Sequence, residues 1–293
     1  MSQAVRLPWT LFVSVALLSL LSACAFDPAA PVGTPSLPVP APTQVRTTEA
    51  SAPSVDTAFN DRSYVRTGTQ LPAVVLQAGL QEGKSTWNNV VPGLSHSHMV
   101  IAFDRPGRSA TLATEAPRDP CTIAAEERRL LRAANVPPPY VLLGHSLGGL
   151  YQYVYAKLYP EDVAGLVLLD PTHPRHWETV QREAPVAAMM VKSLRMLSFG
   201  SADRREFDSQ TTCLDRLDGQ PIGRPVKLLF SGRFRLEERG AYERMLQPLR
   251  EDWVKMTGAS GQQVVLDSGH YIQKDRPDAV IKAVEEVASG ILR

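Results

Sequence analysis

Residues 140–159 of the chain read YVLLGHSLGGLYQYVYAKLY, and the assignment of the fold starts from them. YVLL is a short apolar run typical of a buried strand, and the last ten residues are typical of a helix. Between them lies GHSLGG (residues 144–149), a G-x-S-x-G pattern centred on Ser146. A serine on so sharp a turn needs a strained backbone, and Gly144 and Gly148 leave space where a Cβ would collide. The pattern predicts Ser146 at a helix N-terminus, whose N–H groups favour a negative charge.

Short apolar runs alternate with helical patterns along the rest of the chain. Residues 72–78 (PAVVLQA), 99–103 (MVIAF), 164–169 (AGLVLL), 226–230 (VKLLF) and 263–266 (QVVL) are typical of strands, and residues 122–134 and 277–291 of helices. This α/β alternation predicts a parallel sheet covered by helices. Residues 173–224 interrupt it with a Met-rich helical part (186–197) and a polar, loop-like part, which predicts a lid inserted between two strands.

The strand, GHSLGG turn and helix resemble the nucleophile elbow of the α/β-hydrolase superfamily, and the resemblance extends from about residue 72 to the C-terminus. It implies the α/β-hydrolase fold, no cofactor and the chain order serine, acid, histidine. His270 lies in DSGHY (residues 267–271), after the last predicted strand and before the last predicted helix, where the family carries its catalytic histidine. The resemblance therefore implies Ser146 as nucleophile and His270 as general base.

The acid of the triad has more than one candidate. In many members of the superfamily it follows the strand that here is VKLLF, but SGRFR follows that strand and the first carboxylates are Glu237 and Glu238. A subset of the superfamily takes its acid from the preceding strand, and Asp170 directly follows AGLVLL. We interpret Asp170 as the acid, with Glu237 and Glu238 as the alternatives.

The resemblance also implies an oxyanion hole built from two backbone N–H groups. Leu147, directly after the nucleophile, supplies one, and Leu80 is the candidate for the second. Gln77-Ala78 stands before Gly79 where the family commonly has His, so this sequence departs from the family there. Trp87 is interpreted either as a wall of the acyl pocket or as a core residue.

A serine at the elbow differs from the Asp that haloalkane dehalogenases and epoxide hydrolases need there. The resemblance implies a hydrolase that cleaves a small-molecule carboxylic ester through an acyl-enzyme, and Leu80, Trp87 and Met189-Met190 suggest a lipidic or apolar substrate. Peptidase, thioesterase, lactonase and acyltransferase activities use the same triad. The alternative from another class is a non-catalytic envelope lipoprotein that uses the fold for binding.

The N-terminus is typical of a targeting segment. Arg6 precedes an apolar core from Leu11 to Leu21, and LSAC (residues 21–24) resembles the bacterial lipobox, in which the cysteine is lipidated. The alternative is an ordinary signal peptide cut near Ala23. We expect a signal peptide at residues 1–23, a tether rich in Pro, Ala and Thr at 24–55, and a hydrolase domain at 56–293. Lipidated Cys24 would anchor the exported chain to a membrane of the bacterial cell envelope, and the following neutral residue fits outer-membrane sorting in a Gram-negative host.

Export also bears on the other two cysteines. In an oxidising compartment Cys121 and Cys213 form a disulfide, and the alternative is two separate buried thiols.

The composition predicts neither a nucleic-acid partner nor a metal. The formal charge is +1, from 31 basic and 30 acidic residues, so the sequence lacks the excess of positive charge that nucleic-acid binding needs. His96 and His98 form an H-x-H pair without a second ligand cluster, so no metal site is predicted. The oligomeric state stays open.

Overall fold

A computed structural model of the protein describes residues 63–109 and 111–291. Its central sheet has seven strands: β1 (Tyr64–Thr67), β2 (Ala73–Gln77), β3 (Val100–Phe103), β4 (Tyr140–His145), β5 (Val163–Leu169), β6 (Val226–Ser231) and β7 (Gln262–Val265). The strand order is β1-β3-β2-β4-β5-β6-β7, and every neighbouring pair is parallel except β1 with β3. The predicted parallel α/β sheet is therefore confirmed.

The sequence prediction missed β1 at the edge of the sheet. Its four residues, YVRT, include no continuous apolar run, and Val65 is exposed. The central strands are different, because both faces of the sheet are covered. Along β2, Ala73 and Val75 pack into one core cluster, whereas Val74 and Leu76 pack into the other. A parallel strand buried on both faces shows apolar residues in a row, and for this reason the central strands were recognisable.

Helices cover the two faces of the sheet. They are α1 (Val91–Leu94), α2 (Pro120–Ala133), α3 (Leu147–Leu158), α4 (His176–Glu183), α5 (Pro185–Ser198), α6 (Ser201–Asp208), α7 (Ala241–Thr257), α8 (Ile272–Asp275) and α9 (Pro277–Ile291). Residues of α2, α3 and α7 share one core cluster, and residues of α1, α8 and α9 share the other. Helix α2 begins at Pro120, two residues before the predicted start at Thr122, and the Asp119 carboxylate caps it by accepting hydrogen bonds from the N–H groups of Cys121 and Thr122.

The predicted lid consists of α4, α5 and α6. The expectation of a polar, loop-like part after residue 197 was wrong at α6, whose sequence SADRREFD has no apolar face. This helix instead buries two carboxylates, Asp203 and Glu206, which form ion pairs with Arg108 and Arg105. The structure contains the predicted disulfide between Cys121 and Cys213, which ties the segment after α6 to the start of α2.

The predicted signal peptide (1–23), Cys24 and the tether (24–55) lie outside the described residues. Among the residues that the structure describes, no helix combines the length and apolar character needed to cross a bilayer.

Candidate active site

Ser146 lies between β4 and α3, on the turn that the sequence predicts. Its backbone has φ +54° and ψ −122°, which is strained for a residue with a side chain. A Cβ on Gly144 would lie 2.5 Å from the carbonyl oxygen of Gly148, and a Cβ on Gly148 would lie 2.3 Å from that of Gln77. Both glycines are thus required by the close approach of α3, β4 and the end of β2. These three elements meet where the strand order reverses, which is the usual position of a site in an open α/β sheet.

Asp170 and His270 meet at the same edge of the sheet. Asp170 follows β5, and its Oδ2 lies 3.2 Å from Nδ1 of His270. The other carboxylate oxygen accepts a hydrogen bond of 3.0 Å from the N–H of Ser231. Burial raises the pKa of Asp170, but the hydrogen bonds from His270 and Ser231 outweigh it, so the pKa is below its usual value. Burial conversely lowers the pKa of His270, and the Asp170 carboxylate outweighs it and raises that pKa.

Ser146, Asp170 and His270 line one cavity of about 150 Å³. Helix α7 forms much of its wall, because Tyr242, Leu246, Leu249 and Trp253 follow one another at spacings of three and four residues and lie on one helix face. The lid adds His176 from α4, where burial lowers the histidine pKa to about 4. His176 is therefore neutral at pH 7. The lining mixes apolar side chains from α7 with polar and charged groups, among them His173 and Arg250.

A larger cavity of about 530 Å³ adjoins the first one. Asp170, Tyr242, Leu246 and His270 line both cavities, whereas Ser146 lines the smaller one. Arg233, Phe234 and Tyr271 add charged and aromatic groups to the larger cavity. His270 therefore stands between a narrow space that contains the serine and a wider space.

The loop after β2 brings Leu80, the second oxyanion candidate, beside the elbow. A Cβ on Gly79 would lie 3.2 Å from Cβ of Ser146, so the backbone before Leu80 contacts the serine. The N–H of Gly79 donates to Oε2 of Glu82 at 3.0 Å, and its carbonyl accepts from Arg105 at 2.9 Å. Leu147, the first candidate, is buried at the first position of α3.

Several other interpretations can now be decided. Trp87 is fully buried in the core cluster formed with α1 and α9, so the core interpretation is confirmed. Met189 and Met190 are 62% and 50% exposed, and neither lines the two cavities beside His270.

Of the described side chains, neither Glu238 among the alternative acids nor His98 of the H-x-H pair hydrogen-bonds to Nδ1 of His270. Glu238 lines the larger cavity, while the side chain of Glu237 lies outside the described part. The His98 ring nitrogens face Pro72 O at 3.1 Å and Glu285 Oε2 at 3.3 Å.

Sequence reasoning missed two interactions that surround the site. Glu82 bonds to His145, and Arg105 forms a buried ion pair with Glu206. Each pair joins residues far apart in the chain, by 63 and 101 positions. The turn of residues 104–109 (DRPGRS) resembles the Asp-x-x-Gly-x-Gly-x-Ser turn of the superfamily, but nothing in this resemblance points to Glu206.

Comparison with known proteins agrees with the fold described above. The profile of the family described as "Alpha/beta hydrolase family" matches residues 74–283. The uncharacterized protein YqjL of Bacillus subtilis (strain 168) is 26% identical over 224 residues, which cover 76% of this chain and 85% of that protein. Among solved structures, the epoxide hydrolase CorEH superposes with a TM-score of 0.58 at 19% identity, over 78% of this chain and 95% of its own. A thermophilic esterase from Thermogutta terrifontis gives 0.57 at 20% identity, over 78% and 93%.

Proposed function

The chain belongs to the alpha/beta hydrolase family, and from this premise we propose that it is a serine hydrolase that cleaves carboxylic esters through an acyl-enzyme. One observation carries the proposal: Ser146 on its strained turn shares a cavity with His270, whose Nδ1 faces the Asp170 carboxylate. A hydroxyl nucleophile, an imidazole base and a carboxylate that orients the base are the parts that acyl transfer needs.

The hydrogen bond between Asp170 and His270 determines which ring nitrogen of the histidine acts as the base. Because Asp170 accepts a hydrogen bond from Nδ1–H of His270, the neutral ring has an unprotonated Nε2 that takes the Ser146 proton. Ser146 Oγ then bonds to the ester carbonyl carbon, and the N–H groups of Leu147 and Leu80 stabilise the oxyanion. His270 returns the proton to the leaving alcohol. Water, activated by the same imidazole, hydrolyses the acyl-enzyme and restores Ser146.

The two cavities favour a short acyl group. The acyl part of the substrate stays bound to Ser146 and therefore occupies the smaller cavity, while the alcohol receives its proton from His270 and leaves through the larger one. About 150 Å³ is small beside the roughly 300–1,000 Å³ typical of sites for drug-sized ligands. Since Trp87 and Met189 lie away from this cavity, they give no support to the lipidic or apolar substrate that the sequence suggests.

A fluorophosphonate probe tests the class of enzyme. We expect the probe to label wild-type protein at Ser146, and we expect Ser146→Ala to abolish both labelling and ester turnover with an unchanged melting temperature. Ser193→Ala, on the exposed face of α5, is the matched control and should keep both. An unlabelled wild-type protein would favour the non-catalytic binding module. A panel of esters with graded acyl length then tests the substrate, and kcat/KM should fall by at least about 10-fold from butyrate to decanoate esters.

We further propose that the enzyme is exported and anchored by lipid on Cys24. The LSAC stretch at residues 21–24 supports this proposal, and so does the Cys121–Cys213 disulfide, because disulfides persist in oxidising compartments. Residues 24–55 would let the domain act at a distance from the membrane surface.

A further inference from the structure

Arg105 contacts the loop that carries Leu80 through the two residues that precede it. It is 2% exposed, and all five of its N–H donors have acceptors. Nη1 donates to Gln77 Oε1 at 2.9 Å and to the Ala78 carbonyl at 2.6 Å. Nη2 donates to the Gly79 carbonyl at 2.9 Å. One guanidinium group therefore holds the last residue of β2 and the first two residues of the loop that follows it.

The remaining donors of Arg105 bind the lid. Nε and Nη2 donate to the two carboxylate oxygens of Glu206 at 3.0 and 2.8 Å. Glu206 is fully buried on α6, and its Oε1 also accepts from Arg118 at 3.4 Å. A bidentate pair of this kind fixes the plane of the guanidinium as well as its position. The lid thus determines how Arg105 is oriented beneath the loop.

The contact with the Gly79 carbonyl has a geometric consequence for Leu80. The carbonyl of Gly79 and the N–H of Leu80 belong to one planar trans peptide, in which they point in opposite directions. Fixing the carbonyl towards Arg105 therefore fixes the Leu80 N–H towards the opposite side. The position of a Gly79 Cβ is 3.2 Å from Ser146 Cβ, so this peptide lies next to the nucleophile. Among the described residues, none accepts a hydrogen bond from the Leu80 N–H.

We propose that Arg105 is a positioning residue for the oxyanion hole. We also propose that Glu206, on lid helix α6, holds Arg105 in the orientation that this role requires. The inference rests on the proposed function, because it assumes that the Leu80 N–H stabilises an oxyanion. Arg105 touches no reacting atom. It acts through the peptide between Gly79 and Leu80.

Arg105→Lys tests the proposal, because lysine keeps the charge but cannot supply the planar set of donors. Removing one oxyanion donor typically costs about 10²–10³-fold in kcat, so we expect a loss of that size with KM changed by less than about threefold. Affinity for a trifluoromethyl ketone, which forms an anionic adduct with the serine, should fall in parallel. Glu206→Gln should cause a smaller loss of the same kind.

Arg118→Lys is the matched control. Arg118 is equally buried and binds Glu206 and Glu126, but within the described part of the chain it donates no hydrogen bond to residues 77–80. We expect Arg118→Lys to lower the melting temperature while folded protein keeps kcat within about threefold of wild type. Equal losses of kcat in Arg105→Lys and Arg118→Lys, at equal folded fraction, would overturn the proposal.

Hydrogen exchange separates this inference from the proposed function. We expect backbone amides of residues 78–82 to exchange faster in Arg105→Lys than in wild type or Arg118→Lys, whatever the substrate of the enzyme is. Unchanged exchange and unchanged kcat in Arg105→Lys, in a protein whose Ser146 is labelled by fluorophosphonate, would defeat the positioning role alone. Absence of labelling in wild type would defeat the serine-hydrolase assignment instead.

Discussion

Nδ1 of His145 lies 2.5 Å from Oε2 of Glu82, and its Nε2 lies 2.9 Å from the backbone carbonyl of His270. His145, the residue before the nucleophile, thereby connects the loop after β2, which carries Leu80, with the loop that carries His270. Glu82 accepts hydrogen bonds from the N–H of Gly79 and the hydroxyl of Thr86 as well. Burial opposes its ionisation, yet these bonds outweigh burial and lower the pKa of Glu82 to about 2.

Glu82→Gln should destabilise the protein at neutral pH. Because the pKa in the folded state is depressed from 4.5 to about 2, ionised Glu82 contributes about 3 kcal/mol of stability above pH 4.5, and this contribution is lost as the pH falls towards 2. Denaturant unfolding of wild type and Glu82→Gln between pH 2 and 7 should show a difference that shrinks on acidification. Glu285→Gln, which breaks the more exposed contact with His98, should cost less than about 1 kcal/mol. A pH-independent difference would contradict the assignment.

The pH dependence of turnover should report His270. Burial lowers its pKa and Asp170 raises it more, so the pKa lies above the usual 6.5. Only the unprotonated imidazole can accept the Ser146 proton, and kcat/KM should therefore fall as the pH drops through a midpoint above 6.5. The stability that the His270–Asp170 pair adds is present below pH 6.5 and is lost as the pH rises through the same folded-state pKa. A midpoint well below 6.5 in the pH profile would contradict the Asp170 contact.

The parts of the fold that the sequence predicts are those encoded locally. Ser146, Asp170 and His270 each follow an apolar strand, and the carboxyl ends of parallel strands meet at one edge, so their convergence could be anticipated. Helix α6 and its contact from Glu206 to Arg105 could not be anticipated in this way. The helix is stabilised by ion pairs with residues about 100 positions away, and such pairs leave no periodic signal in the sequence.

Removing the disulfide should lower the free energy of unfolding but leave the kcat of the folded protein unchanged. Cys121 and Cys213 close a loop across 92 positions, which corresponds to about 4.6 kcal/mol in the chain-entropy view. Cys121→Ala/Cys213→Ala should therefore unfold at lower denaturant concentration and keep its kcat while folded, because neither cysteine lines the cavity with Ser146. Reduced wild type should match the double variant. Intact mass showing two free thiols in protein from the oxidising compartment would contradict the bond.

The anchor proposal makes a separate prediction about location. Cys24→Ala should move the protein from the membrane fraction to the soluble fraction, since each buried methylene of an acyl chain contributes about 0.8 kcal/mol to membrane binding. Cys121→Ala serves as the control and should remain in the membrane fraction, because it removes a cysteine outside the targeting segment. Mass spectrometry of the wild-type N-terminus should show acyl chains on Cys24. A Cys24→Ala protein that stays membrane-bound would disprove the anchor.

Asp170→Asn should be the most damaging change of a carboxylate near His270. The side chain must accept the Nδ1–H bond and stabilise the imidazolium, and an amide can turn its NH₂ towards the ring and favour the wrong tautomer. We expect a loss in kcat of up to about 10⁴-fold, together with an acid limb of the pH profile shifted to lower pH. Glu238→Gln is the matched control, because Glu238 lines the larger cavity and its Oε2 instead accepts from the N–H of Arg235 at 2.9 Å.

Stability measurements separate catalysis from folding in this comparison. Asp170 also accepts from the N–H of Ser231 and lies 3.5 Å from Arg250, so Asp170→Asn could unfold the site instead of disabling it. Melting temperatures and fluorophosphonate binding, measured beside kcat, show whether the site is still formed. A variant that melts early but retains kcat would assign Asp170 a structural role after β5. A larger loss of kcat in Glu238→Gln, or in Glu237→Gln, would move the acid to the segment after β6, the position that many members of the superfamily use.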